Sequence, residues 1–227
     1  MNIDFHAHIL PKADHGSDSV ETSLRQLAMA RAGEIDVLAA TPHFYPNRDT
    51  AEAFFERRER CHADLCKEPS ASKPRLLLGA EVHLCRGLEH LAELHRLCLQ
   101  GTNLLLLELP ADFRMNSYLP TLEALLYDCK VRPILAHVER YSADTIQSLF
   151  HMGFLGQLNV SSLCRFMGRR QRLRWIEEGY IVALGSDIHG AKTDYSAFTQ
   201  VRTQYSKHYN AVMKRCEALI LISNKTD

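Results

Sequence analysis

The chain has 227 residues, 46% of them hydrophobic, with 27 basic against 27 acidic side chains and a formal net charge of zero. That length suffices for one large domain, expected to span residues 1–227. The balance of charge argues against a broad basic face for nucleic acid and against a polybasic membrane patch. Apolar runs such as LLLL at 104–107 are far too short to span a bilayer.

Met1 runs almost directly into the first apolar stretch, with neither a charged n-region nor an apolar h-region, so no signal peptide is expected. The cysteines at 61, 66, 85, 98, 129, 164 and 216 are odd in number and include no C-x-x-C pair. Reduced thiols in a cytoplasmic protein are the expectation.

In chain order, NIDFHAHI, IDVLAATPHF, RLLLGAEVHL, NLLLLELP, RPILAHVER, GQLNVSSL and IVALGSDIHG are of strand length. Most are nearly continuously apolar, as parallel strands buried on both faces must be. Helical spacing appears between several of them. SVETSLRQLAMARAGE, with Ser19 and Thr22 as candidate caps, TLEALLYDCK, DTIQSLFHMG and RRQRLRWIEEGY predict helices. The last two run into glycines that can end them. KEPSASKP (67–74) reads as a polar loop within the domain.

Strand then helix at roughly thirty residues a unit is the rhythm of βαβ crossovers. Seven units fall short of an eight-unit barrel of about 250 residues. The predicted fold is therefore an α/β protein with a distorted (β/α)7 barrel like a TIM barrel, and an open doubly wound sheet is the alternative. Both architectures place the active site at the carboxyl ends of the strands.

Polar residues concentrate at those ends. In IDFHAHIL, the period of two puts Asp4, His6 and His8 on one face, a poor arrangement for an apolar core unless a shared positive charge holds it. ATPHF then supplies His43, GAEVH Glu81, LLELP Glu108, LAHVER His137 and Arg140, and LGSDIH Asp187 with His189, again two apart and expected on one face. Nearly every strand thus ends in a nitrogen or oxygen ligand. One ion is saturated by three or four side chains, so this number predicts two or three ions. Imidazole and carboxylate without thiolate indicate Mn, Fe, Zn or Mg. Clustered ions of this kind clamp in-line displacements in phosphatases and other hydrolases.

The ordered set of H-x-H, T-P-H, G-A-E, L-E, A-H-x-E-R-Y and S-D-x-H resembles the PHP (polymerase and histidinol phosphatase) superfamily. HAHILPKADHGSDS, AHVERY and SDIHG are most similar to its bacterial protein-tyrosine phosphatases of capsule and exopolysaccharide synthesis. The resemblance runs from residue 3 to about residue 190. It implies a PHP-type barrel with three ions, manganese foremost. His6, His8, Glu81 and Asp187 would hold the first. Glu81 would bridge to a second, completed by Glu108 and His137. His43 and His189 would hold the third with His15, or with Asp14, from the ADHG loop.

Arg140 matches an arginine that grips phosphate in that family, a task suited to the bidentate guanidinium fork. With His43 and His189 it would form the catalytic set; the alternative is a surface pair with Glu139. Where the family has a second arginine after D-x-H, DIHGAKTDY offers Lys192 and then Asp194. The implied activity is hydrolysis of phosphotyrosine, whose phenolate (pKa about 10) leaves with little proton donation. The implied partner is the tyrosine-rich tail of a bacterial tyrosine autokinase. A phosphoesterase for small phosphates such as histidinol phosphate, and a non-catalytic metal-binding module, are the rivals. CRFMGRR (164–170) has the C-x5-R spacing of cysteine-dependent phosphatases, but it lacks the preceding histidine and is crowded by Arg165, Phe166 and Met167.

Overall fold

The computed structural model describes residues 1–68, 74–190 and 194–223. Its elements in order are β1 (Ile3–His8), α1 (Val20–Ala32), β2 (Val37–Ala40), β3 (His43–Phe44), α2 (Ala51–Cys66), β4 (Arg75–Leu78), β5 (Glu81–His83), β6 (Leu104–Glu108), α3 (Met115–Tyr127) and β7 (Arg132–Leu135). They continue with α4 (Ala143–His151), β8 (Leu155–Asn159), α5 (Val160–Cys164), α6 (Arg169–Glu177), β9 (Ile181–Gly185), β10 (Ile188–His189), α7 (Ser196–Gln204) and α8 (Ser206–Ser223).

Hydrogen bonding divides the strands into two parallel sheets, β10-β1-β2-β4 and β3-β5-β6-β7-β8-β9. Three chain continuities join them, since β2 runs into β3 across Thr41 and Pro42, β4 into β5 across Gly79 and Ala80, and β9 into β10 across Ser186 and Asp187. The composite strand β9/β10 pairs with β8 through its first half and with β1 through its second, in the register Ala7–Ile188 and His8–His189. Seven composite strands therefore form a ring, and they are the seven apolar runs of the sequence.

At the seam, Asp187 N–H donates to His6 O at 2.8 Å. Ser186 ties in the start of β1, its N–H and hydroxyl donating to the Asp4 carboxylate at 2.8 and 2.6 Å. Tyr195 donates its hydroxyl to the same carboxylate at 2.7 Å. Burial raises the Asp4 pKa, against those hydrogen bonds.

All six residues of β1 and all five of β9 are buried, as a strand covered on both faces requires. The caps are the expected kind. The Ser19 and Ser142 hydroxyls accept the Thr22 and Thr145 N–H groups at the starts of α1 and α4, and Thr50 does the same for α2.

Several elements depart from the sequence expectation. Helix α2 escapes the periodicity because Arg58 stands in its buried stripe among Phe54, Phe55, Cys61 and Leu65; its guanidinium donates to Gly79 O and Arg96 O at 3.1 and 3.0 Å. Helix α3 begins at Met115, before Pro120, which sits inside it. The stretch GQLNVSSL is a strand only to Asn159 and turns helical at Val160. Between β5 and β6 the chain makes short 3-10 turns at Leu88–His90 and Leu94–Leu97 in place of a helix.

The amino end of the barrel is closed by α8. Met213 Sδ accepts Ile3 N–H at 3.2 Å, Cys216 and Leu219 line an apolar cavity with Phe5, Ile134 and Val182, and Arg215 donates to Ile176 O and Ile181 O. Among the described residues, no helix is long and apolar enough to cross a membrane.

Candidate metal centre

The carboxyl ends of the strands converge on one buried cluster. From β1, His6 and His8 turn their Nε2 atoms toward each other at 3.0 Å. Each ring is fixed through its other nitrogen: His6 Nδ1–H donates to Gln157 Oε1 at 3.3 Å, and His8 Nδ1–H donates to Asp14 Oδ2 at 2.6 Å. With both Nδ1 atoms donating, both Nε2 atoms of the neutral rings offer lone pairs to the same point. This arrangement orients metal-binding histidines.

Glu81 Oε2 lies 3.2 Å from each of those Nε2 atoms and 2.9 Å from His43 Nδ1. Asp187 Oδ1 lies 3.5 and 3.6 Å from the two Nε2 atoms. Spacings of about 3.0–3.5 Å are what a cation holding each donor at about 2.1 Å leaves between its ligands.

The second oxygen of Glu81 faces His137 Nε2 at 2.9 Å, and that nitrogen is 3.6 Å from Glu108 Oε1. Glu81 thus stands between the two groups of donors. On the other side, the rings of His8 and His189 stack at 4.1 Å, and His15 lies 4.9 Å from His43 and 4.8 Å from His189. The donor atoms of His8, His43 and His189, of His6, His8 and Asp187, and of His43, Glu81 and Glu108 form three compact sets.

The donor set fits divalent cations on structural grounds. Glu81 Oε2, His43 Nδ1 and His137 Nδ1 are buried and make no hydrogen bond, although Glu81 Oε2 and His43 Nδ1 are close. Buried polar atoms of that kind are costly unless something satisfies them. Without a cation the imidazoles must carry the compensating charge. Burial opposes charge on His8, but the bond to Asp14 and the nearby Glu81 carboxylate outweigh it and raise its pKa to about 10. Burial likewise opposes ionisation of Glu81, yet His6, His137 and His43 hold its carboxyl well below the usual range. Asp187 is lowered, with His6 and His8 prevailing over burial, while burial and His8 push His189 down.

Two ligand-type residues occupy left-handed backbone: His137 at φ 32° and Asp187 at φ 52°. Such conformations in non-glycine residues persist where surrounding structure enforces them, and they concentrate at functional sites. For Asp187 the consequence is that the strand breaks. Asp187 and His189 do not alternate along one strand face as their spacing predicted, but the kink still delivers both to the cluster, with His189 Nδ1 2.9 Å from Asp187 O.

The ADHG loop separates the roles of its two candidates. Asp14 is fully engaged: besides His8 Nδ1, it accepts Gly16 N–H at 2.8 Å and His43 N–H at 2.9 Å. Those bonds overcome burial and keep its pKa low. His15 instead presents its ring to His43 and His189. Gly16 permits this fold-back, because a Cβ there would stand 2.1 Å from His8 Cβ.

Arg140 ends the 3-10 turn Val138–Arg140 at the mouth of the cluster. Its guanidinium is half exposed and bonds Asp187 Oδ2, which also accepts Asn159 Nδ2–H at 2.9 Å. The pairing with Glu139 does not form: Glu139 Oε2 accepts the Asn159 N–H at 3.3 Å, and burial raises its pKa. Lys192 lies outside the described residues. Asp194 accepts the Ser196 N–H and hydroxyl at the start of α7, a helix-starting role.

The setting of Cys164 does not favour a cysteine-phosphatase nucleophile. Burial raises its thiol pKa, the opposite of activation.

Three contributors were not identified from sequence. Gln157 Oε1 bonds both His6 Nδ1 and His137 N–H, the latter at 2.7 Å, and Gln157 Nε2 donates to Asn159 Oδ1. Two amides alternating along an otherwise buried strand were the available signal. His83, two residues beyond Glu81, sits 3.2 Å from Glu108 Oε2. It lines two adjoining open clefts of about 430 and 340 Å³, together with Asn47, Tyr45, Arg48 and Arg86.

A seven-stranded α/β barrel whose strand ends gather six imidazoles and four carboxylates is a hydrolase-type metal barrel of the PHP kind. The profile of the family described as "Capsular polysaccharide synthesis, CpsB/CapC" matches residues 2–226, and the chain belongs to that family. A relative named tyrosine-protein phosphatase CpsB, from Streptococcus agalactiae serotype V, is 22% identical over 207 residues, 82% of each chain. A solved structure, from work on YwqE of Bacillus subtilis and CpsB of Streptococcus pneumoniae described as unique metal-dependent tyrosine phosphatases, superposes with a TM-score of 0.81. It is 25% identical and covers 99% of this chain and 95% of that one. A TatD-family hydrolase from Entamoeba histolytica shares the fold alone, at TM-score 0.58 and 9% identity over 96% of this chain and 97% of that one.

Proposed function

We propose that the chain is a metal-dependent protein-tyrosine phosphatase of capsule or exopolysaccharide synthesis, acting in the cytoplasm on a phosphotyrosine protein, the tail of a bacterial tyrosine kinase. The observation that carries the metal dependence is the 3.0 Å approach of His6 Nε2 and His8 Nε2. Both rings donate elsewhere, and Glu81 and Asp187 complete the set. His6, His8, Glu81 and Asp187 would hold one cation, Glu81, Glu108 and His137 a second, and His43, His189 and His15 a third. Asp14 serves as the orienter of His8. Manganese is the ion we favour.

Divalent cations held there would supply Lewis acidity toward phosphoryl oxygens and would lower the pKa of a water toward neutrality. The chain's own part begins with Arg140, whose fork would leave Asp187 to bond two phosphoryl oxygens and stabilise the charge that builds on them. Gln157 and Asp14 hold the His6 and His8 tautomers, so no proton need move at those rings during turnover. Phosphotyrosine suits a site that uses a leaving group of pKa about 10. The open clefts beside His83 suit a peptide better than a closed metabolite pocket would.

The test is to compare turnover of a phosphotyrosine peptide with that of histidinol phosphate and phosphoserine peptide, in wild type and Cys164→Ser. The account expects preference for the phosphotyrosine peptide and an unaffected Cys164→Ser variant. Equal or better turnover of the small ester would transfer the assignment to a metabolite phosphatase. A Cys164→Ser loss of several orders of magnitude would restore the cysteine mechanism.

A further inference from the structure

The CRFMGRR segment, which the metal centre does not use, is an organised protrusion. It joins α5 to α6. Phe166 and Met167 at its tip are 86% and 88% exposed, the highest values for large hydrophobic side chains among the described residues. Adjacent, fully exposed apolar side chains mark a contact surface when charge surrounds them.

The loop is built to hold them out. Arg172 is buried, and its guanidinium donates to Arg165 O and Met167 O at 3.3 and 2.5 Å. Gly168 makes this possible twice over: its φ is +71°, and a Cβ there would stand 2.7 Å from Arg172 Nη1. Arg169 lies between two rings, 5.5 Å from that of Phe166 and 5.6 Å from that of Tyr205.

The charge within the loop itself is of one sign, the carboxylates of Glu177 and Glu178 lying further along the depression it borders. Among the described residues, Arg165, Arg169 and Arg170 have no carboxylate partner, whereas Arg174 further along α6 pairs with Glu178 and His208 meets Glu177. Overall neutrality read against a polybasic patch; the fold nevertheless gathers one at a single loop.

We propose that this loop docks the protein peripherally on an anionic lipid surface. Phe166 and Met167 would enter the boundary between headgroups and acyl chains, and Arg165, Arg169 and Arg170 would meet lipid phosphates. A protruding tip fits a plane. The wide depression that continues from it along α6 contains Glu177 and Glu178, which would repel an acidic polypeptide laid there, while the tip itself has no carboxylate.

Full-length protein would be sedimented with vesicles of equal parts phosphatidylglycerol and phosphatidylcholine, and with phosphatidylcholine alone. Wild type should pellet with the anionic vesicles only, and less so at high salt. The triple variant Arg165→Glu/Arg169→Glu/Arg170→Glu should lose partitioning by about 10²-fold or more, and Phe166→Ser/Met167→Ser should lose at least tenfold. Both should keep wild-type hydrolysis of p-nitrophenyl phosphate in solution, which shows that they fold. Independently, Phe166→Trp should shift its emission to the blue on adding anionic vesicles. Failure of wild type to pellet, equal pelleting of the serine variant, or an unmoved Trp emission would overturn the proposal. So would binding to poly-glutamate but not to vesicles with the same arginine dependence, which would identify an acidic protein segment as the occupant.

Discussion

The two ends of the barrel are made from the same strands and obey opposite rules. At the amino end, β1 starts with Ile3, and α8 closes the barrel with Met213, Cys216 and Leu219, so the surface there is removed from water by apolar packing. Five residues later the same strand ends in His8, in a crowd of imidazoles and carboxylates, some of whose atoms the protein leaves without hydrogen bonds. One end is complete in itself. The other leaves buried donors without hydrogen bonds, the mark of a site shaped for chemistry instead of stability.

The largest effect should come from the donor that both halves of the centre share. Glu81→Gln keeps volume but removes the charge that faces His6, His8, His43 and His137. It should lower kcat/KM on phosphotyrosine peptide by about 10³-fold or more, with a matching loss of bound metal, while the apo protein stays folded by circular dichroism. Arg140→Ala comes next, at about 10² to 10³ in kcat/KM, the range for one lost donor to developing charge. Arg140→Lys should recover only part of that, since a point charge cannot reproduce the fork. Metal content and Tm should not change in either variant, because Arg140 is half exposed. Unaltered kinetics in Arg140→Ala would leave the bond to Asp187 as its whole role.

At the amino end the pattern should invert. Met213→Ala removes a buried side chain and the acceptor of the Ile3 N–H, and should cost about 2–5 kcal/mol by denaturant unfolding, with the folded fraction retaining wild-type kcat. The smallest effect is at Tyr209, whose hydroxyl donates to Asn2 Oδ1 at 3.1 Å. Tyr209→Phe should cost about 1 kcal/mol. Burial raises the Tyr209 pKa to about 12, above the ordinary value of about 10. The unfolded chain therefore releases this proton first, so wild-type stability is full below pH 10 and declines as pH rises toward 12. Unfolding of Tyr209→Phe across that range should lack this component.

Much of the centre was legible because its chemistry is carried by titratable residues in an ordered set. H-x-H, T-P-H, G-A-E and S-D-x-H each end an apolar run, and in a parallel barrel all runs end on one face. What stayed hidden was either uncharged or conformational. Gln157 and Asn159 have no motif, although they fix two histidines and Asp187. The division of labour between Asp14 and His15 depended on a fold-back that composition does not record. The left-handed turn at Asp187 breaks the alternation that spacing implied, yet it brings the residue to the right place. Among the helices, α2 was obscured by one buried arginine and α3 by one tolerated proline. The barrel itself was predicted; only its seam was not, since that depends on β9/β10 pairing with a different neighbour in each half.

The central claim is that the strand-end cluster hydrolyses phosphotyrosine only when loaded with divalent cations. The most direct measurement strips the full chain with chelator, then adds Mn²⁺ in steps, following metal bound per chain alongside turnover of a phosphotyrosine peptide. The account predicts negligible turnover without metal and recovery that rises with occupancy to two or three ions. Full turnover by the metal-free chain would contradict it.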